Sequence, residues 1–251
     1  MPYTIHMTDQ VSAPPNVLLS GIVGSVAYGL DTDDSDVDRL GVFAAPTEKL
    51  LGLHPPNPSV VSSKPDATFH EAGKYAALAL KVNPTITELM WLPDDLYETR
   101  TGPGSALIAI RRSFLSQKAV RNAYLGYATQ QFRRLENRGD GSFSADTRKR
   151  TAKHARHLLR LLTQGLELYE TGALTVRLQN PDHYRDFGER VAAGDIEAAQ
   201  KEIGSAERWF NSAESPLPER PDEATVEAWL EDVRREHYET AKRRRLYGVA
   251  G

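Results

Sequence analysis

Residues 17–44 read VLLSGIVGSVAYGLDTDDSDVDRLGVFA and decide the fold of the N-terminal part. Two apolar, β-branched runs, 17–24 and 40–44, predict short buried strands, because continuous apolar runs of this length suit strands covered on both faces. The stretch between them has no hydrophobic period and is rich in Gly, Ser and Asp, which predicts a loop. Gly24 and Ser25 therefore lie where a buried strand ends and the loop begins.

Near residue 100 the sequence pattern changes from mixed strands and helices to mainly helices. Residues 45–66 carry five prolines around Val60-Val61, which indicates an irregular connection with one more strand. Beyond them, periods of three and four residues predict helices over 70–82, 85–92, 108–137, 146–172, 183–210 and 222–243. The sequence thus predicts an α/β (α+β) fold, with a small α/β domain over 1–100 and a mainly helical domain over 101–251.

The composition narrows the classes of protein to which the chain can belong. Of its 251 residues, 40% are hydrophobic and 26% charged, which is typical of a globular protein with a buried core. Cysteine is absent, which excludes disulfides, thiolate zinc sites and a cysteine nucleophile. There is no apolar run of the ~18 residues that a membrane span needs, and the N-terminus does not resemble a secretory signal. We therefore expect a cytoplasmic protein without membrane contact.

Charge is distributed unevenly along the chain. Residues 1–100 hold 6 Lys or Arg against 13 Asp or Glu, residues 101–165 hold 13 against 3, and residues 166–251 hold 12 against 18. An acidic site that collects cations, facing a basic surface that collects phosphates, is one use of such a pattern. The alternative is that the basic segment 101–165 is solvated helix surface.

The chemistry is predicted to lie at Gly24-Ser25 and Asp36-Val37-Asp38. On an extended chain alternate residues share a face, so the carboxylates of Asp36 and Asp38 point the same way. Paired carboxylates are tolerated when a divalent cation lies between them, and hard oxygen ligands suit Mg²⁺ or Mn²⁺. The free backbone N–H groups and hydroxyl of Gly24-Ser25 suit phosphate oxygens. A phosphate cradle facing such an ion is what transfer from a nucleoside triphosphate (NTP) requires.

These motifs resemble the DNA polymerase β-type nucleotidyltransferases, whose signature is an apolar residue, Gly-Ser or Gly-Gly, about ten residues, then Asp-x-Asp or Asp-x-Glu. Here it is Val23-Gly24-Ser25 followed by Asp36-Val37-Asp38. With the downstream strings KYAALALKVNPTITELMWLP and KHARHLLRLLTQGLELYETGAL, the chain is similar over about 20–175 to the RNA-ligase-associated (RlaP/YcgL-type) predicted nucleotidyltransferases. One departure is Arg39, where the general signature has an apolar residue.

The resemblance implies a fold and a set of site residues. The fold is a small mixed sheet with flanking helices, and the helical part completes the cleft for nucleotide and acceptor. Gly24 and Ser25 contact the triphosphate, while Asp36 and Asp38 hold the metal. A third carboxylate, from a later strand, binds metal and helps deprotonate the acceptor. Asp66 is favoured for this role, and Glu71 is the alternative.

Further candidates for nucleotide contact lie outside the two motifs. Lys74 lies on the predicted 70–82 helix. On the 146–172 helix, Lys153, His157, Arg160 and Gln164 have the spacing of one helix face, which could reach the triphosphate or an acceptor. The alternative is that these are exposed charges on a helix whose leucines face the core. Tyr28 is expected to shape the loop and Ser35 to cap or orient Asp36, and both are candidate contacts.

Three functions fit these observations. The first is a metal-dependent nucleotidyltransferase that moves a nucleoside monophosphate from an NTP to an acceptor hydroxyl and releases pyrophosphate. The acceptor is an RNA end, a protein or a small molecule, and the basic segment 101–165 favours RNA. The second is a non-catalytic RNA-binding or toxin-neutralising protein. The third is a nucleotide-sugar-dependent transferase, which also uses an Asp-x-Asp pair.

Overall fold

The computed structural model describes residues 13–32, 35–136 and 145–247, without the side chains of 145–146 and 239–247. The basic run at 242–245 therefore has no described side chains. No helix in these ranges is long and apolar enough to cross a membrane.

A five-stranded mixed sheet forms the N-terminal part. The strands are β1 (Val17–Val23), β2 (Asp38–Phe43), β3 (Ser59–Ser63), β4 (Asp66–Glu71) and β5 (Tyr97–Arg100), in the order β3-β4-β2-β1-β5. The β2–β4 pair is parallel and the other three pairs are antiparallel. This confirms the predicted mixed sheet and the strands predicted at 17–24 and 40–44.

Helices flank the sheet and make up the C-terminal part. The shorter ones are α1 (Gly24–Tyr28), α2 (Thr47–Leu50), α3 (Ala72–Ala79), α4 (Pro84–Glu88) and α5 (Gly102–Ala109). The longer ones are α6 (Gln117–Glu136), α7 (Ala145–Thr171), α8 (Pro181–Ala192), α9 (Ile196–Ser212) and α10 (Glu223–Tyr247). Single 3₁₀ turns follow α4 and α5 and precede β5.

Several elements differ from the sequence prediction. The predicted loop after residue 24 begins with α1. The residue pattern alone predicted neither β4 nor β5, although the resemblance implied a strand that carries Asp66. The helix predicted over 70–82 begins at Ala72, after β4. The helix predicted over 108–137 is interrupted where Leu115 is extended and the Ser116 hydroxyl accepts the N–H of Ala119. The helix predicted over 183–210 is divided at Gly194, whose φ of 116° a helix cannot accommodate.

The sheet and the long helices share one hydrophobic core. Its main cluster extends from Leu18 on β1 through Leu89 and Leu158 to Val233 on α10. A smaller cluster around Phe43 and Phe69 covers the other face of the sheet. The predicted domain boundary near residue 100 therefore lies inside a continuous core, and the division into two domains stays a prediction.

Helices α6 and α7 pack closely at Gly165. A Cβ built on this residue would lie 2.5 Å from the Tyr124 Cβ, which no side-chain rotation can relieve. Gly126, on the facing helix, has nothing within 4 Å of the same position. Only the first of these two glycines is therefore required by packing.

Alanine substitutions at the two glycines should change stability in opposite directions. Gly165→Ala is expected to lower the free energy of unfolding by about 1–3 kcal/mol through overpacking. Gly126→Ala should raise it by about 0.5–1 kcal/mol, since alanine loses less backbone entropy in a helix. Urea unfolding of the two variants beside the wild type measures both changes. Equal effects at the two positions would contradict this packing.

Candidate functional site

Gly24 and Asp38 meet at one edge of the sheet. The antiparallel register pairs Val23, the last residue of β1, with Asp38, the first residue of β2. Gly24 follows with φ +73°, and a Cβ on it would lie 2.3 Å from the Asp38 Oδ2. A side chain at position 24 is thus excluded both by backbone conformation and by the carboxylate. The Asp38 carboxylate lies directly against the backbone turn of Gly24 and Ser25.

Two further carboxylates share this edge. Because β2 and β4 are parallel with Arg39 opposite Ala67, Asp38 and Asp66 begin neighbouring strands. Asp36 precedes β2 by two residues and is exposed. The pKa of Asp38 is raised by partial burial first and then by the charges of Asp66 and Asp36, while Lys153 lowers it. The structure therefore brings together the three acids and Lys153.

Glu71, the alternative third acid, lies at the opposite end of β4. Its carboxylate caps α3 by accepting the Gly73 N–H at 2.8 Å. It also binds the Arg234 guanidinium of α10 through two hydrogen bonds, and the Glu71 side chain is nearly buried. Glu71 is thus occupied in joining α10 to the sheet, and Asp66 is the acid that lies near Asp38.

The predicted face of α7 is divided between surface and interior. Lys153 is exposed and acts on Asp38. His157 is largely buried, and its Nδ1 accepts a hydrogen bond from the Arg160 guanidinium at 3.0 Å, so the proton of this neutral ring is on Nε2. Burial and the neighbouring cations, Arg160 first, lower the His157 pKa to about 2. Arg160 itself lies in the interior.

A buried cluster of Tyr28, Glu88, Arg160 and Gln164 packs against α1. The Arg160 side chain is 1% exposed and stacks on the Tyr28 ring, 3.9 Å from the ring centroid. The Tyr28 hydroxyl donates to the Glu88 Oε2 at 2.6 Å, and Arg160 Nη1 lies 3.7 Å from the same oxygen. Arg160 also donates to the Gln164 Oε1 at 2.5 Å. The side chains of Tyr28 and Arg160 thus contact each other and Glu88.

Sequence reasoning missed Glu88. Burial raises its pKa to about 7, although Arg160, the Tyr28 hydroxyl and the Gly24 N–H all favour the charged form. The signal lay in the apolar string TITELMWL, where one acid occurs among residues predicted to face the core. A charged residue in that context indicates a buried partner, but the string does not identify Arg160 as that partner.

The remaining candidates lie away from Asp38 or shape the backbone. Ser25 is partly buried, and its carbonyl accepts the Leu30 N–H at 2.9 Å, which closes α1. The Ser35 hydroxyl accepts the Thr32 N–H at 2.9 Å, so it orders the loop. Lys74 is exposed in the first turn of α3, beyond the end of β4 that is farthest from Asp66. The structure does not bring Lys74 to the carboxylates, and its role in nucleotide contact stays a prediction.

Arg39, the departure from the family signature, has its ion-pair partner on the opposite face of the sheet. Its side chain reaches across β1 and donates to the Glu98 Oε1 of β5 at 2.8 Å. Because neighbouring residues on a strand face opposite sides, Arg39 points away from the side on which Asp38 lies. The polar residue at this signature position therefore forms a surface ion pair.

The donor set at the edge suits a hard divalent cation. Asp36, Asp38 and Asp66 lie near the exposed Lys153, and the pKa of Asp38 is raised. Carboxylate oxygens are the ligands that Mg²⁺ and Mn²⁺ prefer. Within the described ranges, no group of three or more His, Asp or Glu side chains is placed so that it could hold a metal ion. The three acids thus suit the ion by the chemistry of their oxygen ligands alone.

Comparisons with known proteins give a family and a structural neighbour. A family model described as RlaP, RNA repair pathway DNA polymerase beta family, matches residues 4–196. One similar solved structure is a nucleotidyltransferase-like protein from Exiguobacterium sibiricum 255-15. It is 16% identical, covers 88% of this chain and 75% of its own, and has a TM-score of 0.31. No curated protein sequence matches the chain.

Substitution of Asp66 should lower the pKa of Asp38. Asp66→Asn removes a like charge next to Asp38, so the ionised form of Asp38 becomes more favourable and its pKa falls. Lys153→Met should raise the same pKa, because it removes the opposite charge. Carboxyl ¹³C NMR titration measures both shifts. Glu71→Gln is the matched control and should leave the Asp38 pKa unchanged; a shift there, with none in Asp66→Asn, would contradict the placement.

Proposed function

The chain belongs to the RlaP family, and we propose that it is a metal-dependent nucleotidyltransferase that transfers a nucleoside monophosphate from an NTP to an acceptor hydroxyl. Pyrophosphate is the second product. The family is of the DNA polymerase β type.

The contact between Gly24 and Asp38 carries the proposal. Transfer from a triphosphate requires a phosphate-binding backbone close to the carboxylates that would hold a divalent cation, because the cation would neutralise phosphate charge there. Here a Cβ on Gly24 would lie 2.3 Å from the Asp38 Oδ2, so the carboxylate lies directly beside the Gly24 backbone. Asp66 and Asp36 add charge at the same place.

The divalent cation would be held by Asp36, Asp38 and Asp66. When bound, Mg²⁺ or Mn²⁺ neutralises phosphate charge and orients the triphosphate for in-line attack. The backbone N–H groups of Gly24 and Ser25 and the Ser25 hydroxyl bind phosphate oxygens. The exposed Lys153 adds a positive charge next to Asp38, where a phosphate would lie.

Asp66 is proposed as the group that accepts the acceptor proton. The acceptor oxygen attacks the α-phosphorus, the bond from that phosphorus to the bridging oxygen of pyrophosphate breaks, and the hydroxyl proton passes to Asp66. Asp66 is exposed at the start of β4, which leaves it accessible to an acceptor. Since it is also a proposed metal ligand, its loss should reduce both metal binding and turnover.

His157 and Arg160 receive different roles in this proposal. Arg160 is enclosed by Tyr28, Glu88 and Gln164, so we assign it to the support of α1. His157 is neutral and carries its proton on Nε2, which makes it a hydrogen-bond donor beside Lys153. A neutral donor of this kind can bind a phosphate or hydroxyl oxygen of the donor or acceptor.

RNA is the acceptor that the charge distribution favours. Within the basic segment 101–165, Arg111 stacks on Trp91, Arg112 caps the carbonyl end of α7, and Arg160 is buried. The other cations concentrate on the facing ends of α6 and α7, at positions that include Arg133, Arg134, Lys149, Arg150 and Lys153. Arg134 and Lys153 both act on His157, so this basic surface borders the carboxylates.

The same surface is the observation behind a second candidate, a non-catalytic RNA-binding or toxin-neutralising protein. Such a protein would bind RNA through Arg133, Arg134 and Lys153 with strong salt dependence, and it would not need Asp38. The nucleotide-sugar-dependent transferase has no specific observation in its favour, because the contact between Gly24 and Asp38 suits a triphosphate.

Pyrophosphate release tests the proposed reaction. The full chain is incubated with each of the four NTPs, Mg²⁺ or Mn²⁺ and total RNA, and pyrophosphate is measured by a coupled enzymatic assay. We expect release with at least one NTP and its loss by a factor of at least 100 in Asp36→Asn/Asp38→Asn, since removal of the ion's ligands costs several kcal/mol of transition-state stabilisation.

Glu71→Gln is the control for this assay and should retain the wild-type rate, because Glu71 lies at the far end of β4. Pyrophosphate release that is equal in the double variant and the wild type would contradict the proposal. RNA binding that survives in the double variant, together with no release in the wild type, would favour the second candidate.

A further inference from the structure

Glu88 lies directly behind the backbone turn that is proposed to hold the triphosphate. Its side chain is 2% exposed at the end of α4, and it faces α1 and α7. The Gly24 N–H lies near enough to favour the charged carboxylate, and the Asp38 charge also acts on it. One buried acid is therefore coupled to both halves of the candidate site without reaching the surface.

The hydrogen bonds of this carboxylate are incomplete. Its Oε2 accepts the Tyr28 hydroxyl at 2.6 Å, and Arg160 Nη1 stands 3.7 Å from the same oxygen, beyond hydrogen-bond distance. The Glu88 Oε1 is buried with no hydrogen-bond partner among the described groups, and the same holds for the Arg160 Nε. Ion pairs this deeply buried are normally completed by hydrogen bonds, because each unmatched charge costs free energy. The Glu88–Arg160 pair thus remains incompletely hydrogen-bonded next to α1.

Packing explains why the Arg160 guanidinium does not move closer to the Glu88 carboxylate. The Arg160 guanidinium is fixed by the Tyr28 ring, the Gln164 amide and His157. Gln164 is itself bound to the carbonyls of Thr175 and Val176. The cation therefore cannot move closer to Glu88 without breaking contacts on the other side.

We propose that Glu88 is a positioning residue of the donor site, whose buried carboxylate opposes the charge of a bound triphosphate through the Gly24 turn and so limits how tightly the phosphates bind. This inference rests on the proposed function. Glu88 does not touch the donor; it acts on the backbone that does.

The physical basis is repulsion in a poorly screened interior. Like charges separated by several ångströms of protein interact more strongly than they do across water. A site that binds polyphosphate less tightly releases the pyrophosphate product faster, because affinity is set mainly by the dissociation rate.

Glu88→Gln removes the charge and keeps the shape of the side chain. The amide oxygen can still accept the Tyr28 hydroxyl. We expect this variant to bind inorganic tripolyphosphate three- to tenfold more tightly than the wild type, measured by calorimetric titration of the full chain with Mg²⁺ present. The gain should be smaller for pyrophosphate and absent for the four ribonucleosides, since it depends on ligand charge.

Glu71→Gln is the matched control. It makes the same substitution in a second nearly buried glutamate that is paired with an arginine, Arg234, at the far end of β4. It should therefore lose stability as Glu88→Gln does, without any change in tripolyphosphate affinity. A merely structural role of Glu88 would give weaker binding, or an equal change for phosphates and ribonucleosides.

The outcomes separate the inference from the function on which it rests. If the wild type binds tripolyphosphate and a folded Glu88→Gln binds it equally or less tightly, the inference is wrong and the proposed function stands. If the wild type binds neither tripolyphosphate nor any NTP, the proposed function fails and the inference fails with it. Should Glu88→Gln not fold, Tyr28→Phe provides the second test. Loss of the hydroxyl favours neutral Glu88, and about twofold tighter binding is expected; no gain would overturn the inference.

Discussion

The other parts of this fold depend on the contact between the Asp38 carboxylate and the backbone of Gly24. Asp38 occupies the space that any side chain at position 24 would need, and Gly24 adopts a φ that other residues rarely take. The first condition follows from the register that pairs Val23 with Asp38. A slip of one residue would turn Asp38 to the other face of the sheet, as it does every side chain of a strand. The parallel neighbour β4 then brings Asp66 to the same edge.

The helical part supports this edge rather than standing apart from it. The Leu178 N–H donates to the carbonyl of Tyr28 at 3.2 Å, and Arg185 of α8 donates to the carbonyl of Gly29 at 2.7 Å. Both bonds fix the end of α1, while Arg160 and Glu88 lie beneath it. Because the core is continuous, Leu178 and Arg185 can hold the five-residue helix α1 although they lie more than a hundred residues away in the sequence. The position of the Gly24-Ser25 backbone thus depends on the whole fold.

Local chemistry in the sequence was sufficient for part of this architecture. The apolar runs predicted β1 and β2, and the Asp-x-Asp spacing with Gly24-Ser25 indicated the family that the family model confirms. β5 was missed because Tyr97–Arg100 is polar and becomes a strand by pairing with β1. Helical spacing put Lys153, His157 and Arg160 on one face, but spacing does not tell which part of a face is buried. The pairing of Arg160 with Glu88 joins residues from different helices, so only tertiary packing reveals it.

The proposed placement of a divalent cation and a triphosphate at one edge of the sheet is tested most directly by pulsed electron paramagnetic resonance. The full chain is loaded with Mn²⁺ and non-hydrolysable analogues of the four NTPs, and couplings of the ion to ³¹P are measured. We predict ³¹P couplings in the wild type and in Glu71→Gln, and loss of bound Mn²⁺ in Asp38→Asn. Mn²⁺ that binds without ³¹P coupling to any analogue, or that binds equally well in Asp38→Asn, would contradict the account.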